Sequence, residues 1–140
     1  MAEFESKEIY KDLKDLMKEV IMAGYAESMT ARDKVDFLLP IKNDIRECMR
    51  CFIRAARENR PKERLRLKEA LDTEFAVTMM DLHIADDQHI WRGPKDEHGN
   101  VKCAKRILDI VPRIDAGIQR WINYDKKGRP APEAGCGSII

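Results

Sequence analysis

The chain has 140 residues, of which 36% are charged, with a net charge of +1, few aromatics and few glycines. That length and mixture favour a single domain of long amphipathic helices over a sheet protein. No apolar run approaches the about 18 residues of a membrane span, and the opening MAEFESKEIY has no secretory h-region, so a cytoplasmic protein away from membranes is expected.

From Ile9 the apolar residues Tyr10, Leu13, Leu16, Met17, Val20 and Ile21 return every three or four positions, which predicts a first helix ending near Gly24. Thr30, with Asp33 three residues on, is an N-cap signal for a second helix. That helix runs along Phe37, Leu38, Ile41, Ile45, Met49, Phe52, Ile53 and Ala56. Pro40 lies inside it and predicts a kink, or a short helix followed by a long one. After the punctuation ENRP at 58–61, Pro61 suits the first turn of a third helix. This one buries Leu67, Leu71, Phe75, Thr78, Met79 and Leu82 and ends in a long loop over residues 85–100.

Asn100 is placed to cap a fourth helix lined by Val101, Ala104, Ile107, Leu108, Val111, Ile114, Ile118, Trp121 and Ile122, with a bend at Pro112. The expected fold is therefore all-α, an antiparallel up-down four-helix bundle over residues 1–124. Residues 125–140 are read as a flexible, low-complexity C-terminal tail.

The small net charge hides a segregation of sign. Residues 1–29 hold seven acids against four lysines, and residues 69–100 hold eight acids against two basic residues. Residues 45–68 hold nine Lys or Arg against three Glu. Within that stretch Arg46, Arg50, Arg54 and Arg57 recur at steps of four, four and three, one helix face, and Lys42 extends the row by a turn. Arg60, Lys62, Arg64, Arg66 and Lys68 add cations around the following turn.

Guanidinium forks suit phosphate, so these ten residues form the candidate nucleic-acid-binding surface, one that contacts backbone rather than bases. The plainer alternative is a solvated face paired with the acidic segments, inside one molecule or between copies. The protein would then be a helical interaction module that assembles through complementary faces without nucleic acid.

Other chemistry is weakly signalled. Cys48 and Cys51 share a helix face, but no second ligand pair accompanies them, and a mid-helix CxxC lacks the N-terminal dipole of a redox motif. They read as packing residues, and all four cysteines, Cys103 and Cys136 included, as free thiols. His83, His89 and His98 have no repeated carboxylate–histidine pattern around them, and no nucleophile has an adjacent base. No catalytic residue, metal or cofactor is expected.

The stretches ARDKVDFLLPIKNDIRECMRCFIRA, LKEALDTEFAVTMMDLHIA and RILDIVPRIDAGIQRWI, the last ending in a Gly-x-x-x-Trp-Ile element at Gly117–Ile122, carry a further signal. In order and pattern they resemble the accessory variability determinant family of diversity-generating retroelements. That family is similar in turn to the four-helix-bundle proteins encoded in bacterial 23S rRNA intervening sequences. The resemblance covers about residues 7 to 124. It implies a ring-like homopentamer of four-helix bundles that binds the element's reverse transcriptase and its RNA. Polymerisation of the mutagenised cDNA would be left to that partner, and the matching basic residues here would be those from Arg46 to Lys68.

Overall fold

The computed structural model describes residues 2–25 and 29–127, with side chains from residue 6. Four long helices account for most of these residues. Helix α1 spans Ala2–Ala23. Helix α2 opens with one α turn, Ala31–Asp33, widens into a π-helical stretch, Lys34–Leu38, and continues as Leu39–Arg57. Helices α3 and α4 span Pro61–Asp87 and Lys102–Lys126. Each helix packs on the next in chain order, and α1 packs on α4.

The helix ends obey local chemistry. The N–H of Asp33 donates to Thr30 Oγ1 at 3.1 Å, the cap expected from sequence. Pro40 produces the π stretch in place of a simple kink. Its ring would press on the carbonyl four residues back in a regular α turn. The widened turn relieves this, and the Leu39 N–H closes it on the Lys34 carbonyl, five residues back.

At the end of α3, His89 adopts φ 57° and takes the place usually given to glycine. The His89 N–H donates to the Asp86 carbonyl at 3.0 Å and the Ile90 N–H to the Ala85 carbonyl at 3.2 Å, a Schellman closure. Buried Ile90 packs beneath that closure, and Trp91 is buried beside it.

The loop expected over 85–100 is thus shorter, because α3 runs to Asp87. Between α3 and α4 the chain forms a small hairpin, closed by a bridge between Lys95 and Val101. The Asp96 carboxylate accepts the N–H groups of His98 and Asn100 at 2.8 and 2.9 Å. Asn100 is therefore spent on closing this turn and does not cap α4. Val101 stands at that N-cap, without a side-chain bond.

The core is a stripe from each helix: Leu13 and Leu16, Ile41 and Ile45, Phe75 and Leu82, Ile107 and Ile114. In α2, Cys48 and Cys51 lie inside as packing residues, as expected, together with Ala55, while Ile53 and Ala56, read from sequence as core, are exposed.

Two glycines mark close approaches. A Cβ on Gly24 would stand 2.5 Å from Leu38 Cδ2, and one on Gly117 would stand 3.1 Å from Ile9 Cγ1. Helix α4 is continuous through Pro112, which is exposed. It also runs past residue 124, so Asp125 and Lys126, assigned from sequence to the tail, are helical. The rest of that tail, including Cys136, lies outside the described residues from 128 on.

Candidate nucleic-acid interface

Helix α2 is two-sided because its apolar and basic residues keep the same period in opposite phase. Ile41, Ile45, Cys48 and Phe52 are buried, and Arg46, Arg50, Arg54 and Arg57 are exposed, with Lys42 half-buried. Arg50 pairs with Glu47 at 2.8 Å, an exposed i,i+3 contact of the kind worth at most about 1 kcal/mol. Among the described residues, Lys42, Arg46, Arg54 and Arg57 hold no acidic partner. The last two also lie in the helix's final turn, where the dipole favours positive charge.

Past Arg57 the row divides. Arg60 is exposed and forks onto Glu58 through Nε at 2.8 Å and Nη2 at 3.2 Å. That bond first, and then the Arg60 backbone N–H, hold the Glu58 carboxyl down at about 2. Arg66 pairs with Glu63, and Lys62 is exposed. These three remain on the surface.

Arg64 and Lys68 do not. The Arg64 guanidinium binds both oxygens of Asp125 at 2.9 Å each, a bidentate pair that joins the start of α3 to the end of α4. Lys68 has a side chain 1% exposed. Its Nζ donates to the Trp121 carbonyl at 3.0 Å, lies 2.9 Å from Asp125 Oδ2, and sits 4.3 Å from the centre of a Trp121 ring. It is therefore a core residue and is removed from the candidate surface.

The reason is phase. Residues 68, 71, 75, 78 and 82 form one i,i+3/i+4 stripe, and all five are buried. Asp125 was overlooked from sequence, although its position four residues after Trp121 on the same face is the signal that marks it.

The acidic segments do not neutralise the α2 row. Asp12 and Glu19 of α1 reach Arg113 and Arg106 of α4, at 3.4 and 2.8 Å. Asp72 of α3 accepts from Gln119 at 2.7 Å. Asp44, Glu74 and Asp81 meet at the seam between α2 and α3, acid against acid.

Burial first, then a hydrogen bond with Asp81 and the charges of Asp81 and Glu74, push the Asp44 carboxyl up to about 7. Burial and the charges of Glu47 and Asp81 raise Glu74 as well. Asp44 Oδ2 is buried without a donor, and two carboxyl groups can bond only through a proton.

A raised folded value penalises the folded state most above pH 7, and the penalty fades as the pH falls toward the ordinary 3.8. Asp44→Asn should therefore raise the melting temperature at pH 8, with a gain that shrinks steadily down to pH 5. Thermal melts by circular dichroism at pH 5, 6, 7 and 8 measure this, and a pH-independent difference would contradict it.

The thiols are packing groups. Cys48 Sγ lies 3.4 Å from Thr78 Oγ1, and burial above all pushes the thiol up to about 12. Burial raises Cys51 in the same way. His83, His89 and His98 are all exposed. Among the described residues no three His, Cys, Asp or Glu side chains cluster as metal ligands would, and no helix is long and apolar enough to cross a membrane. Compared with protein-family models, with curated proteins and with solved structures, the chain matches none.

Proposed function

We propose that this chain is a non-catalytic accessory protein of a diversity-generating retroelement, acting in the cytoplasm. It binds the element's reverse transcriptase and its template RNA through the basic face of α2 and the following turn, and so supports mutagenic cDNA synthesis. One observation carries the nucleic-acid role: Arg46, Arg54 and Arg57 stand exposed in one row and hold no ion pair with an acid among the described residues, Glu47 and Glu58 being taken by Arg50 and Arg60. Arg50, Arg60, Lys62 and Arg66 extend the row, and Lys42 begins it.

The proposed architecture is an up-down antiparallel bundle assembled as a ring-like homo-oligomer, with five copies as the family resemblance implies. The pairs Asp12–Arg113 and Glu19–Arg106 support opposite directions for α1 and α4, and Arg64–Asp125 and Asp72–Gln119 do so for α3 and α4. Assembly has support in Val77, Met80 and Ile84, an exposed apolar stripe on α3 that a neighbouring copy would cover. That stripe also favours the second reading, a module that assembles without nucleic acid.

Fluorescence anisotropy with labelled RNA between 50 and 200 mM salt separates the two. Binding should weaken steeply with salt, because each neutralised phosphate releases counterions. Changing Arg50, Arg54 and Arg57 together to Glu should lower the affinity at least about 100-fold with an unchanged helical circular dichroism spectrum. RNA that never binds, together with an oligomer broken by the same change, would establish the second reading instead. Co-purification with a reverse transcriptase encoded beside this gene tests the partner.

A further inference from the structure

Helix α3 carries two rows of the same period on opposite faces. Lys68, Leu71, Phe75, Thr78, Leu82 and Ala85 are buried against α2 and α4. Ala70, Thr73, Val77, Met80 and Ile84 each follow an inner residue by two positions, about 200° around a helix of 3.6 residues per turn. All five are exposed.

This outer row is apolar where those of the neighbouring helices are charged. Val77 is 40%, Met80 55% and Ile84 43% exposed. By contrast, α2 exposes Arg46, Arg50 and Arg54, and α4 exposes Lys105, Arg106 and Arg113. Between Arg66 and Asp87 the one charged residue that α3 exposes is Glu69, and Lys126 of α4 lies 3.9 Å from its carboxylate. Glu74 and Asp81, beside the row, meet Asp44 at the α2–α3 seam.

The spacing points to the occupant. Steps of three, four, three and four are those of a coiled-coil seam, which takes another helix along its length. Arg66 stands one step before the row and Asp87 one step after it, both exposed. The row is thus basic at one end and acidic at the other, with small residues in its first half and large ones in its second. A second copy turned end for end complements both gradients. Arg66 then meets Asp87 at each end, and the half with Ala70 and Thr73 meets the half with Met80 and Ile84. A parallel copy would set like charge on like charge and bulk on bulk.

We infer that the outer row of α3 is a homodimer seam, in which two copies pack antiparallel about a two-fold axis near Val77. This goes beyond the assembly proposed above and needs no nucleic acid. A two-fold contact closes on itself, so it joins copies in pairs. A ring of five would be joined through other faces and matched to a second ring through this one. The footprint from Ala70 to Ile84, about 21 Å by about 10 Å of helix, is small against the roughly 800 Å² per partner of stable complexes. The pairing is therefore reversible, with a dissociation constant expected in the micromolar range.

Sedimentation equilibrium from about 5 to about 500 μM protein reads the assembly. At the upper concentrations an even number of copies is expected; a monomer throughout, or an odd number of copies, would overturn the seam. Val77→Glu with Met80→Glu should raise the dissociation constant at least about 100-fold, with an unchanged helical circular dichroism spectrum. Arg66→Asp or Asp87→Arg alone should weaken the pair about tenfold, and the two together should restore it to within about threefold, since the exchanged ends still meet. Single changes without effect, or a double variant no better than the single ones, would overturn the antiparallel arrangement.

Discussion

Asp125→Ala is expected to cost about 3–5 kcal/mol of folding stability, a drop of roughly 10–20 °C in melting temperature for a chain of this size. The carboxylate is the shared acceptor of Lys68 and Arg64, each at 2.9 Å, and its side chain is 2% exposed. Burial pushes its carboxyl up, and the bonds from Arg64 and Lys68 overcome that and hold it below its ordinary value. Its contribution is therefore complete above the ordinary carboxylate range and is lost only as acid reaches the depressed folded value.

Most of the expected loss comes from stranding the Lys68 ammonium inside the protein, since an unpaired buried charge costs more than the pair contributes. A second substitution separates the two effects. Lys68→Met in the Asp125→Ala background should restore much of the stability, because a long apolar side chain fills the same channel without a charge. Urea denaturation at pH 7 measures all three proteins. Equal stability of the single and double variants would show that the ammonium is not what the aspartate compensates.

Trp121→Ala should lose about 3–5 kcal/mol by a different route, the removal of a large buried ring. Trp121 is 3% exposed and joins three helices. From α4 it meets Phe52 of α2 at 5.3 Å and 32°, and its face receives Lys68 of α3. Phe52 in turn stacks on Tyr10 of α1. Emptying this position leaves a cavity, an unsupported Phe52 and an ammonium without its ring. Trp121→Phe, which keeps a smaller ring, should cost less than half as much. An unchanged denaturant m-value with a lowered midpoint is the expected signature. A lowered m-value would place the change in the unfolded state or in cooperativity instead.

The helices were legible in the sequence because their apolar residues keep a 3.6-residue period, and Thr30 and Pro61 punctuate them plainly. Side-chain destiny within a helix was less so. Lys68 looked like one more cation in a basic run, and only its phase with Leu71 and Phe75 marks it as internal. Its partner Asp125 is 57 residues away, so no local pattern could pair them. The Asn100 cap failed for another reason. Asp96 offers a closer use for the Asn100 backbone, and a turn of five residues outcompetes a cap.

The π stretch at Lys34–Leu38 has one more consequence, for insertions and deletions. It carries one residue beyond what an α turn would hold, upstream of every cation in the α2 row. A residue lost there would let the turn close as ordinary helix. Everything from Leu39 onward would keep its heading, with Pro40 the part left under strain. A residue lost between Ile41 and Ile45 would instead swing the rest of α2 by about 100° and turn the arginines toward the core. Within α2, length variation is thus absorbed before Pro40 and shifts the basic face after it.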